Sequence, residues 1–236
     1  MEHVAPMMKL LLTNDDGIDA AGLAALETAI RGEVYVAAPH RQRSECGHQV
    51  TTRDRIVVTR RSETRVAVHG TPVDCVRLAL RGGLFGSVSF DWVLSGINEG
   101  GNLGVDVYIS GTVAAAREAA ILGRPAIAFS HYRRAGVDID WALAAALVGG
   151  TFEDIQNRKM AREGHWNVNL PHRREPGDQV ASVDCQPCRN PLPIRYQSDG
   201  RSEYQYSGIY AERVGEPGSD VEHCFAGSIA VSYIPL

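Results

Sequence analysis

A chain of 236 residues, 44% hydrophobic and 22% charged, can remove roughly 70–75% of its unfolded surface from water and needs no disulfide or metal staple to fold. Its 24 Lys and Arg stand against 28 Asp and Glu, a net charge of −4, which argues against a protein built to grip a nucleic-acid polymer. The apolar fraction excludes disorder, five scattered cysteines point to a reducing, cytoplasmic compartment, and no run reaches the ~18 uncharged apolar residues of a membrane helix.

Lys9-Leu10-Leu11-Leu12-Thr13 is a short apolar run that ends in Asn14-Asp15-Asp16-Gly17, the pattern of a buried strand stopping at a polar turn. Leu23, Leu26 and Ile30 recur at helical spacing, and residues 34–38 make a second strand closed by Pro39. Strand, turn, helix and strand open a βαβ fold. After a polar loop, the β-branched segments 56–59 and 65–68 suit a hairpin, and Thr71 and Pro72 cap and open a helix. Residues 91–95 read as a further strand, followed by a glycine-rich stretch over 96–111 at its carboxyl end. An alanine-rich helix over 112–122 and a strand over 125–130 come next. A helix over 138–160 is expected to kink or break at Gly149-Gly150. Past residue 170 the prolines at 176, 187, 191, 193 and 217 break the pattern into short β pieces. The core is therefore placed over 1–170 and a β-rich extension over 171–236, with Tyr204, Tyr206, Gly208 and Tyr210 marking an aromatic hairpin.

Three polar segments follow predicted strands, and in an open parallel sheet the carboxyl ends of the strands share one edge, where ligands gather. In the first, Asp15 and Asp16 are adjacent; a divalent cation would relieve their repulsion, or one of them caps the helix that follows. The second, Arg41 to His48, offers two arginines and the Ser44 hydroxyl. The third carries Asn98 and Asn102 among four glycines, then Ser110-Gly111-Thr112 at a helix start, where free N–H groups and the helix dipole favour phosphate. Neither a Walker lysine motif nor Gly-x-Gly-x-x-Gly is present. Cys185-Gln186-Pro187-Cys188 lacks the second pair or the spaced histidines of a zinc site.

These residues resemble the SurE family of metal-dependent 5′/3′-nucleotidases. The likeness runs through Leu11 to Ile18, Ala38 to Ser44, Gly70 to Val76, Ser95 to Thr112, Asn167 to Pro171 and Ser219 to Glu222, with departures at His40, Glu45 and Cys46. The resemblance implies an α/β, Rossmann-like three-layer sandwich with a mostly parallel sheet, whose β-rich extension is exchanged between subunits in a homodimer or homotetramer. It implies one divalent cation per subunit, Mg²⁺ or Mn²⁺, held by Asp15, Asp16, Ser44 and Asn98, and a phosphate seat of Asn102, Ser110, Gly111 and Thr112. The expected activity is hydrolysis of nucleoside 5′- and 3′-monophosphates, a phosphomonoesterase reaction with Asp15, Asp16 and Asn102 as catalytic residues and Asp16 nearest the attacking water. The alternative is a non-catalytic Mg²⁺-binding receiver or ligand-sensing domain. A receiver would need a lysine late in the sheet, whereas Lys9 and Lys159 are the only lysines.

Overall fold

A computed structural model describes residues 7–44, 46–158, 163–172 and 180–236; Glu45 lies outside them. The chain runs β1 (Lys9–Thr13), α1 (Ala21–Ala29), β2 (Glu33–Pro39), β3 (Val58–Arg60), β4 (Arg65–Val68), α2 (Pro72–Leu80), β5 (Trp92–Glu99), α3 (Gly111–Ile121), β6 (Ala126–His131), α4 (Trp141–Gln156), β7 (Gly164–Leu170), β8 (Ser182–Asp184), β9 (Tyr196–Ser198), β10 (Tyr204–Tyr206), α5 (Asp220–Ala226) and β11 (Ile229–Pro235). Tight 3-10 turns occupy Gly104–Tyr108 and Tyr210–Glu212.

The main sheet has the order β3-β4-β2-β1-β5-β6-β7-β11-β8. Its centre, β4 through β7, is parallel; β3 and β11 run antiparallel to β4 and β7. The three consecutive leucines of β1 follow from this architecture, because a central parallel strand is covered on both faces. Leu10 and Leu12 face α1 and α4, packing with Leu23, Leu26, Val148 and Phe152. Leu11 points the other way, with Val93 and Ala128, against Val76, Ala115 and Ala119 of α2 and α3. Helices on both faces complete a three-layer α/β sandwich.

Local chemistry explains the helix ends. The Thr71 hydroxyl accepts from Asp74 N while the Asp74 carboxylate accepts from Thr71 N, a reciprocal cap on α2. The expected break in the fourth helix is absent: α4 runs unbroken through Gly149-Gly150. Gly149 serves packing instead, since a Cβ there would stand 3.1 Å from the Ala29 carbonyl oxygen of α1, whereas one on Gly150 would meet open space.

Beyond residue 170 the chain returns to the main sheet. β11 pairs with β7, and β8 lines up alongside β11. β9 and β10 form the separate hairpin, with the Tyr196 and Tyr206 rings edge to face at 5.6 Å. Among the described residues no helix is long and apolar enough to cross a membrane.

Candidate active site

The parallel strands deliver their carboxyl ends to one edge of the sheet, and a cleft of about 890 Å³ opens there. Asp15 and Asp16 enter it from the end of β1, Ser44 from the loop after β2, Asn98 from β5, Asn102 from the glycine-rich loop and Ser110 from the cap of α3. Gly111 and Thr112 stand behind this lining, against Asp15: the Thr112 hydroxyl donates to Asp15 Oδ1. Thr112 is fully buried, so its side chain supports the carboxylate and does not reach the cleft wall.

The turn after β1 is fixed by Asn14, whose side chain donates to the Gly17 carbonyl at 2.8 Å and accepts from Gly17 N at 3.2 Å. Asp15 is buried and its carbonyl accepts from Arg43 N at 2.7 Å, which ties the Ser44 loop to the first strand end. Gln42 Nε2 donates to Ser44 Oγ at 2.9 Å. Farther along, Gly47 N donates to the Ile109 carbonyl and the His48 ring lies 2.8 Å from Glu118 on α3. The loop is thus tethered to β1 on one side and α3 on the other.

Burial pushes the Asp15 carboxyl up to about 7; the Thr112 hydroxyl opposes the rise and the Asp16 charge adds to it. Asp16 is raised as well, again by burial first, although Glu99 N donates to its Oδ2 at 3.1 Å. Two carboxyls that burial holds back from ionising are what a cation would relieve. The Asn98 amide donates from Nδ2 to the Gly100 carbonyl at 2.8 Å, leaving Oδ1 as its oxygen donor. With Ser44 Oγ and the two carboxylates the set is all oxygen, which fits a hard cation such as Mg²⁺ or Mn²⁺ and suits zinc poorly. Among the described residues no group of three or more His, Cys, Asp or Glu side chains is arranged for a metal.

Asn102 is held by a network that sequence reasoning did not foresee. Its Nδ2 donates to Ser130 Oγ at 2.7 Å, its N donates to Asn169 Oδ1 at 2.8 Å, and its carbonyl accepts from Asn167 and Asn169. All four residues are buried. The register places Ser130 directly beside Asn169 on neighbouring strands, so β6 and β7 together set the position of the glycine-rich loop.

The far wall was also missed. Arg189, Leu192, Ile194, Tyr196, Tyr206 and Tyr210 line the same cleft from the carboxyl-terminal segment. Tyr210 donates to Asp106 Oδ2 at 2.6 Å, and the buried Arg213 guanidinium pairs with Asp106 and donates to the Leu103 carbonyl at 2.9 Å. Asp220, fully buried, accepts from Gly104 N at 2.7 Å and Cys188 N at 2.8 Å. The tail is therefore bolted to the loop that carries Asn102 and Ser110. Spacing in the sequence gave no sign of this; the tyrosine run was the one visible signal.

The chain matches the family model of survival protein SurE over residues 10–190. A Nostoc sp. protein is 49% identical over 230 residues, 96% of this chain and 99% of its own length. The 5′-nucleotidase SurE of Geotalea uraniireducens is 45% identical over 238 residues, 97% of this chain and 93% of its own. The crystal structure of the SurE protein from Aquifex aeolicus shares the fold with a TM-score of 0.84 at 30% identity, covering 96% of this chain and 93% of that one.

Proposed function

This chain belongs to the SurE family, and on that premise we propose that it is a 5′-nucleotidase, a phosphomonoesterase that hydrolyses nucleoside monophosphates to nucleoside and phosphate in the cleft at the sheet edge. The observation that carries the reading is the meeting of Asp15, Asp16, Ser44 and Asn98, from three separate strand ends, beside the cap of α3. One divalent cation, Mg²⁺ or Mn²⁺, would be held by these four residues. When bound, such an ion polarises a phosphoryl oxygen and lowers the pKa of a coordinated water.

The chain's own groups do the rest. Asp16 stands nearest the attacking water and takes its proton, while Asp15 is kept in place by Thr112. Asn102 and Ser110, which line the cleft, face the charge that builds on the equatorial oxygens, the main demand of phosphoryl transfer, while Gly111 and Thr112 back Asp15. The tail forms the far wall of the cleft. Subunits pair as a homodimer or homotetramer through the segment 171–236, and the protein works in the cytoplasm. No observation favours a non-catalytic receiver.

The test is phosphate release from a nucleoside 5′-monophosphate. Many turnovers per chain are expected with Mn²⁺ or Mg²⁺, with loss under excess chelator and recovery on adding metal back. Absence of turnover under all conditions, or turnover indifferent to chelation, contradicts the reading.

A further inference from the structure

The cleft has two chemically distinct ends. One carries Asp15, Asp16, Ser44 and Asn98; the other is walled by Leu192, Ile194, Tyr196 and Tyr206. A phosphate would fill a small part of about 890 Å³, a size at which pockets enclose whole small molecules. The apolar end is also unusually bare: Ile194 is 68% exposed, Tyr196 61% and Tyr206 49%. The chain does little to cover these side chains, yet it holds them firmly. Tyr206 donates to the Pro193 carbonyl at 2.9 Å, its ring meets Tyr196 edge to face, and Ser207 N donates to the Arg195 carbonyl at 2.8 Å.

We infer that this wall is the seat of the substrate's nucleobase, with Tyr196 and Tyr206 supplying ring faces for stacking and Leu192 and Ile194 supplying apolar contact. The inference rests on the phosphomonoesterase reading of the acidic end. Stacking of a base on an aromatic ring tolerates every base, because each has a π face, so the wall selects nucleotides as a class over phosphate esters that carry no base. The seat comes from the hairpin and the proline-rich segment leading into it, while the acidic end comes from the sheet core, so the two ends can be altered separately.

The experiment compares steady-state kinetics on a nucleoside 5′-monophosphate and on ribose 5-phosphate at saturating Mn²⁺, for the wild type, Tyr196→Ala and Tyr196→Phe. For Tyr196→Ala, KM for the nucleotide should rise about tenfold, with kcat for the nucleotide and both constants for ribose 5-phosphate held within about twofold. Tyr196→Phe, which keeps the ring, should restore the wild-type KM. An unchanged nucleotide KM in Tyr196→Ala overturns the inference. So does an equal loss on both substrates, and if gel filtration then shows an altered assembly, these side chains serve the subunit contact proposed above and not a base. Wild-type protein that hydrolyses both substrates with equal kcat/KM removes the nucleobase seat alone. Wild-type protein that hydrolyses neither removes the phosphomonoesterase reading and this inference together.

Discussion

A Cβ on Gly111 would stand 2.9 Å from Asp15 Cβ and 3.0 Å from both Asp15 Oδ2 and Cys46 Sγ. Gly111→Ala therefore separates helix formation from site geometry. Alanine improves the propensity of α3, yet Asp15 has to move, and a shift on the order of 1 Å can cost about a hundredfold in rate. The expected result is a loss of that order in kcat/KM for the nucleotide with an unchanged circular dichroism spectrum; wild-type kinetics would show that Asp15 tolerates displacement. Asp16→Asn removes both a charge from the oxygen set and the group that takes the water's proton, so it is expected to lower kcat and, read by titrating metal against the residual activity, to raise the half-activating Mn²⁺ concentration by more than about tenfold. An unchanged titration would remove Asp16 from the metal. At this scale the sequence was legible where a side chain reaches the cleft from a local feature: the polar turn of Asp15 and Asp16, the loop of Ser44, the strand end of Asn98 and the helix cap of Ser110. It was silent where a residue acts through neighbours. Ser130, Asn167 and Asn169 fix Asn102 through the register of two strands, and register depends on pairing that no local pattern records. Thr112 belongs to the same class: its place in the helix start was readable, but its bond to a carboxylate 97 residues away was not.

Elements distant in the chain hold the cleft open in the right shape. Arg213 and Asp106, 107 residues apart, form a buried pair that also engages Tyr210 and the Leu103 carbonyl. Burial pushes the Asp106 carboxyl up even with the guanidinium beside it, so the pair depends on both partners. Arg213→Met leaves that carboxylate buried without its charge partner and should destabilise the protein by about 3–5 kcal/mol, measured by urea unfolding. A change under about 1 kcal/mol would mean the tail is held by its other contacts. The helical spacing of α1, the alanine-rich run of α3 and the Thr71 cap were readable because their signals are local. The break expected at Gly149-Gly150 did not occur because tertiary contact overrides propensity: α1 packs closely on α4 at Gly149.

At the level of the whole molecule, the alternation of apolar strands and helices was enough to indicate a mostly parallel sheet, and the sheet has that form. The place of β11 between β7 and β8 was not readable, since a strand that returns after a long excursion can join any free edge. β7 also carries the main acid sensitivity to be expected of the fold. His165 is fully buried with neither ring nitrogen hydrogen-bonded among the described residues, and burial, with Arg117 and His48 adding, pushes its pKa down to about 3 from 6.5. The folded state keeps the ring neutral while the unfolded chain takes up a proton as pH falls through 6.5. Stability is therefore lost between pH 6.5 and about 3, by on the order of 4 kcal/mol from this group. In urea unfolding across pH 7 to 4, His165→Leu should gain steadily on the wild type; parallel curves would show that the ring is solvated.

Anomalous diffraction from crystals soaked in Mn²⁺ reports most directly on whether separate strand ends share one ion. A single peak per chain is expected, within bonding distance of oxygens from Asp15, Asp16, Ser44 and Asn98, on the side of the cleft facing the start of α3. No peak, or a peak that leaves out Ser44 and Asn98, would contradict the hydrolytic site described above.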